Sequence, residues 1–228
     1  MNFIPTTLTL CFLVSILSAG ESGFTPMFNG KDLTDWDGKP GAWKVINDEI
    51  HCTGEAQERN WLVWRKEQPA NFILKLEFKW DAGNSGVQVR SDDLGDWQIF
   101  GYQAEIARQE VMGLWHHSLL SQGHPTKEAR HLMTTAGQLA EIDDAGIRTV
   151  TQIDDTAEIQ AHYDAGEWNT MEIIAEGNTL TQKVNDIVFA TLIDDDPGMG
   201  RKSGFIALQD HGKGCLVAFR NLKIRILP

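Results

Sequence analysis

From Phe72 to Trp80 the chain sets Phe72, Leu74, Leu76, Phe78 and Trp80 against Lys75, Glu77 and Lys79. A period of two puts the first set on one face of a strand and the second on the other, the pattern of a half-buried antiparallel strand. Asn60–Arg65 repeats it, with Trp61, Val63 and Arg65 opposed to Leu62 and Trp64. After a turn-forming cluster at Gly83, Asn84, Ser85 and Gly86, Val87 and Val89 alternate with Gln88 and Arg90. In the next strand Gln103 and Glu105 share a face, and Tyr102, Ala104 and Ile106 take the opposite one. Asn47-Asp48, Gly177-Asn178 and Asn185-Asp186 mark further turns between short strands. Sustained helical periodicity is absent before the middle of the chain. From Arg108 to Asp155 the alternation fails and Gly113, Gly123, Gly137 and Gly146 interrupt it. This stretch is predicted to be a long excursion with short strands leaving one edge of the sheet. It carries His116, His117, His124 and His131, four of the seven histidines. Strands return after Glu158, and Phe205, Ala207, Gln209 and His211 share a face if their strand runs that far. The pattern predicts an all-β, antiparallel chain.

A length of 228 residues suits one such domain, and eight tryptophans and ten phenylalanines supply ample core and aromatic faces on which a ligand can stack. The net charge of −12, with no basic patch, argues against nucleic acid and anionic membrane surfaces as partners. Met1–Gly20 has no charged side chain and an apolar run from Leu8 to Leu17, too short to span a bilayer comfortably. Ser18, Ala19 and Gly20 fit a cleavage site, although the basic segment that usually opens a signal peptide is missing. Residues 1–20 are therefore read as a signal peptide and 21–228 as the mature domain, secreted or periplasmic, with no membrane in the mature form. Cleavage removes Cys11 and leaves Cys52 and Cys215, read as two separate buried thiols, with a disulfide as the alternative. Asp194-Asp195-Asp196 reads as a solvated turn, without the spaced ligands of a calcium loop. Nucleophile-elbow, P-loop and zinc-ligand spacings are absent. The pattern says nothing about oligomeric state.

Asn84-Ser85-Gly86-Val87 followed by Gly101-Tyr102-Gln103-Ala104-Glu105-Ile106 resembles the DUF1080 family, the 3-keto-disaccharide hydrolase domain. Phe28–Leu33 with Trp36, Gly166–Asn169, Ala207–Gly212 and Phe219–Leu222 agree in the same order, so the resemblance runs from about Phe24 to Leu227. It implies a concanavalin A-like jelly-roll β-sandwich and action on 3-keto sugars. By pattern alone Glu105 is an outer-face glutamate; its place inside the matching motif marks it as catalytic. His211, in Leu-Gln-Asp-His-Gly, is drawn to the same site, with a turn cap as its alternative role. Arg90 serves either as a substrate contact or as a partner of Asp92 or Glu77. Asn84 is a turn former or a ligand contact. Gln103, Gln209, Tyr102 and Trp115 complete the substrate-binding candidates. Relatives often carry a Tyr-Asp-Glu-like segment where this chain has Gly113-Leu114-Trp115-His116-His117, so one of the two histidines, His116 by preference, stands in as base or ligand. Adjacent strand residues point to opposite faces, which keeps both from one ion unless a loop intervenes. Candidates for a divalent metal ion are Glu105, His116 and His117.

An ordinary glycosidase needs two carboxylates across the glycosidic bond, and only Glu105 stands out. A 3-keto sugar relaxes that need. The ketone acidifies the hydrogen on C2, one base removes it, the enolate expels the C1 substituent, and water adds back. Such a site needs a base and a stabiliser of the enolate oxygen, such as a metal, Arg90 or an amide donor. The expectation is an exported enzyme on a 3-keto-glycoside substrate. The competing class is a lectin-like carbohydrate-binding module, in which the same polar set only hydrogen-bonds a sugar.

Overall fold

The computed structural model describes residues 22–117 and 131–228. The predicted leader, His124 and the side chain of His117 lie outside the described residues. Seventeen strands run in chain order among those residues: β1 (Thr25–Pro26), β2 (Trp36–Asp37), β3 (Trp43–Ile46), β4 (Glu49–Cys52), β5 (Asn60–Trp64), β6 (Phe72–Ala82), β7 (Ser85–Gly95), β8 (Gln98–Ile106), β9 (Gly113–His117), β10 (Leu132–Thr135), β11 (Gln138–Ile142), β12 (Arg148–Gln152), β13 (Trp168–Glu176), β14 (Thr179–Val184), β15 (Ile187–Asp194), β16 (Phe205–Asp210) and β17 (Leu216–Ile226). One short helix, Thr156–Gln160, precedes β13.

The strands form two sheets. The ten-stranded sheet runs β12-β11-β15-β14-β13-β6-β17-β4-β3, with β1 paired to β17, and the seven-stranded sheet runs β10-β9-β8-β7-β16-β5-β2. Every pairing is antiparallel except β11 with β15. The excursion after Arg108 supplies an edge to each sheet, β9 and β10 on one and β11 and β12 on the other, rather than leaving a single edge.

Phe72, Leu74, Leu76 and Phe78 point inward and meet Val87, Val89, Ala104, Ile206 and Leu208 from the facing sheet. Each such side chain withdrawn from water stabilises by roughly 1.5–3 kcal/mol. The alternation of β6 was thus a reliable guide to its core face. In β8 it is not, because Ile99 through Ile106 are all buried. At the Ile99 end the cause lies in the β7–β8 hairpin. Arg90 sits at φ 47° in a break of register between Val89 and Asp92, and such a bulge bends its strand. Beyond it the tip folds across the outer face of β16 and β5. Ile99 packs there with Trp61, Val63 and Ala207. The Trp97 carbonyl accepts the Trp61 N–H at 3.0 Å, and Gln98 Nε2 donates to the Arg59 carbonyl at 2.7 Å. Asp37 clamps the tip, taking the Trp97 indole N–H at 2.9 Å and an Arg65 N–H at 2.7 Å, while Arg65 also pairs with Asp93.

Candidate functional site

Across β8, β7 and β16, Glu105 stands opposite Gly86, and Gly86 opposite Gln209. A Cβ on Gly86 would lie 2.3 Å from Gln103 Nε2 and 2.6 Å from its Cδ, so Gln103 leans through the space that the glycine leaves open. From there Gln103 Nε2 donates to Glu105 Oε2 at 2.8 Å and to Gln209 Oε1 at 3.0 Å. The three side chains are at most 1 % exposed. Each belongs to a strand, so their positions are held by backbone ladders, and Ser85 Oγ adds a bond to the Gln209 carbonyl at 2.6 Å. Gln88, on the same face, donates to the Gly101 carbonyl at 3.0 Å. Gln103 Nε2 is thus a forked donor, one N–H to the Glu105 carboxylate and one to the Gln209 carbonyl oxygen, a relay in a setting dry enough to strengthen each bond.

The other expected site residues divide. Asn84 and Trp115 line a cavity of about 350 Å³ at this end of the sheet, together with Trp80, Ala107, Arg108 and Val111. Trp115 donates to the Val111 carbonyl at 3.0 Å, and its ring stands edge-on to His131 at 4.9 Å. Ala107 follows Glu105 by two residues, but Gln103, Glu105 and Gln209 do not themselves line the cavity. His211 lies just past the end of β16 and is exposed. The backbone of His117 pairs with Gly101.

Four expectations are corrected. His116 does not join Glu105: it pairs with Tyr102, faces the sandwich interior, and packs against the rings of Phe100 (4.7 Å) and Tyr102 (5.3 Å). Glu105 and His116 therefore occupy opposite faces and cannot share a proton or an ion. Tyr102 is a core residue, donating its hydroxyl to Asp194 Oδ2 at 2.6 Å and accepting the Arg201 N–H at 3.0 Å. Asp194 is accordingly buried and not part of a solvated turn. Arg90 is turned by its bulge toward the ends of the ten-stranded sheet, where Nη2 donates to the Ala70 carbonyl at 2.7 Å and Nη1 to the Gly177 carbonyl at 2.9 Å. Its donors hold loops together and leave no role in substrate contact.

Pattern reasoning passed over Asp210, next to Gln209. It is fully buried, its Oδ1 accepts the Gly212 N–H at 2.9 Å, and burial pushes its carboxyl above the usual range against the pull of Gly212, Asn60 and Cys215. The signal was its place between two chosen residues, Gln209 and His211. Cys52 and Cys215 are buried free thiols, as expected, yet they are not separate: both lie beside Asp210. Two other openings hold no comparable set. One of about 530 Å³ lies under the hairpin tip by Arg59 and Trp97. Another of about 250 Å³ lies on the outer face of the ten-stranded sheet, by Lys75 and Glu172, which pair at 3.2 Å.

Two stacked antiparallel-dominated sheets define a concanavalin-like β-sandwich. The chain belongs to the family described as the 3-keto-alpha-glucoside-1,2-lyase-like domain, whose model matches residues 23–225. No curated protein matches the chain. Among solved structures, a candidate glycosyl hydrolase from Parabacteroides distasonis is 19 % identical with a TM-score of 0.59, covering 93 % of this chain and 99 % of that one. The carbohydrate binding module CBM66 from Bacillus subtilis is 12 % identical with a TM-score of 0.53, covering 84 % and 95 %. A Bacillus licheniformis beta-glucanase is 10 % identical with a TM-score of 0.50, covering 90 % and 97 %. At these identities the likeness is one of fold.

Proposed function

We propose that the domain cleaves the glycosidic bond of 3-keto-glycosides, with Glu105 as the base. The observation that carries this reading is the buried relay in which Gln103 joins Glu105 to Gln209. Glu105 takes the proton from C2, and the electron pair becomes the enolate of the C3 ketone. The enolate re-forms the ketone by expelling the C1 oxygen, which takes the proton back from Glu105 and leaves as the free alcohol. Water then adds across the C1–C2 double bond, so the sum is hydrolysis. Gln103 holds the carboxylate and Gln209 in register. With Arg90 committed elsewhere, Gln209, whose Oε1 accepts from Gln103, is the amide donor for the enolate oxygen. Trp80, Trp115 and Asn84 offer a stacking and hydrogen-bonding approach from the neighbouring cavity. Met1–Gly20 acts as a leader removed on export; among the described residues no helix is long and apolar enough to cross a membrane.

A second reading is a non-catalytic sugar-binding module, favoured by the likeness to a carbohydrate binding module. The experiment is incubation of purified protein with a 3-keto-glucoside, with and without EDTA. Release of the alcohol supports the enzyme, and EDTA-insensitive release assigns the enolate to amide donors. Tight binding of unmodified glycan without turnover supports the module.

A further inference from the structure

Directly behind Gln209, on the interior side of its strand, three ligating groups converge from distant parts of the chain. Cys52 closes β4, Asp210 closes β16, and Cys215 stands at the start of β17. All three are buried, and their two Sγ atoms and a carboxylate oxygen lie within 4.8 Å of one another. Cys215 Sγ reaches the Asn84 carbonyl at 3.3 Å, while Cys52 Sγ is 3.8 Å from the Gln209 carbonyl. Asp210 Oδ1 accepts the Gly212 N–H, while Oδ2 is sealed from solvent and the carboxyl has only the Asn60 and Cys215 side chains beside it. A buried carboxylate oxygen left in that state is costly. A disulfide between the cysteines would leave it so. A cation bound to all three groups would not.

We propose that Cys52, Asp210 and Cys215 form a structural zinc site, with the Asn84 or Gln209 carbonyl, 3.3 and 3.8 Å from the two sulfurs, supplying the fourth tetrahedral ligand. At zinc–sulfur and zinc–oxygen bond lengths of about 2.3 and 2.1 Å, tetrahedral ligands stand roughly 3.5–3.8 Å apart, within the observed limit. Two thiolates select zinc over magnesium or calcium, which prefer oxygen. Binding releases the proton of each thiol to solvent, and the metal takes the two sulfurs as thiolates beside the carboxylate. The ion ties the ends of β4 and β16 to the start of β17. It thereby fixes the turn that carries His211 and the strand end that carries Gln209. The site is independent of any reading of Glu105, since it lies on the other face of the sheet.

The test is metal analysis of the full chain after purification in zinc-containing buffer and gel filtration. The expected result is about one zinc per chain, a melting temperature lowered by a strong chelator and restored by zinc, and loss of the bound zinc in Cys52→Ser. Cobalt reconstitution of the wild-type chain guards against a variant that fails to fold, because it needs no substitution. It should show a thiolate-to-cobalt charge-transfer band. Absence of that band together with substoichiometric zinc overturns the proposal. So does a thiol titration of the denatured, unreduced protein that finds neither cysteine free, which would mean a disulfide instead.

Discussion

Glu105→Gln separates chemistry from architecture, because the relay predicts opposite sizes for its two effects. In the wild type Glu105 Oε2 accepts from Gln103 Nε2 at 2.8 Å. A glutamine can present its own carbonyl oxygen at that point, so the bond from Gln103 survives. What is lost is charge assistance. A hydrogen bond to a charged group is worth about 1.5–3 kcal/mol and a neutral one about 0.5–1.5, so the difference is about 1 kcal/mol. For a domain of this size that lowers the melting temperature by about 2–4 °C. The amide has no basicity, and loss of a positioned general base lowers turnover by on the order of 10²–10⁴. The assay pairs thermal denaturation with initial rates of alcohol release from a 3-keto-glucoside. A variant that melts within a few degrees of wild type and keeps its rate to within about tenfold would remove Glu105 as the base. A loss of many degrees would refute the claim that the relay survives the exchange. For a sugar-binding module, the same change would weaken affinity modestly, with no turnover to lose.

Three further outcomes follow from the same geometry. Gly86→Ala places a methyl 2.3 Å from Gln103 Nε2 and breaks its bonds to Glu105 and Gln209; turnover should fall by about 10–100-fold, since each such bond is worth about 1–3 kcal/mol, and an unchanged rate would show that the relay does not matter. Arg90→Leu strips donors from the Ala70 and Gly177 carbonyls and should destabilise by about 2–3 kcal/mol, read as a melting shift, while the folded variant keeps its kcat/KM; a selective loss of kcat/KM would return Arg90 to the substrate. The Trp97 indole N–H and the Arg65 guanidinium hold the Asp37 carboxyl below the usual carboxylate range. A depressed pKa in the folded state means that this clamp contributes fully above about pH 4 and is lost as pH falls through the folded value. Wild type should therefore lose more melting temperature between about pH 5 and pH 3 than Asp37→Asn does, and equal losses would show that the clamp adds nothing.

The sequence by itself determined the strands, the core face of β6 and the pairing of Gln103 with Glu105 on one side of β8. These follow from a period of two, which is local and survives translation into any antiparallel sheet. Motif order carried the family, and with it the expectation of Gln209 near Glu105. Parity also put Tyr102 opposite Glu105, but it could not say which face of β8 was the sandwich interior, because both faces are buried, the outer one at Ile99 by the hairpin tip folded over β16 and β5. That tip depends on one bulge at Arg90, and the same bulge carries the guanidinium away from the site to the Ala70 and Gly177 carbonyls. The inward side of His116 depends on the register of β9 against β8, a pairing between strands whose connection had no clear pattern. Cys52, Asp210 and Cys215 meet because β4 and β6 flank β17 while β16 crosses to the other sheet. Periodicity reports which way a side chain leaves its own strand; only the packing of one strand on another decides what it meets there.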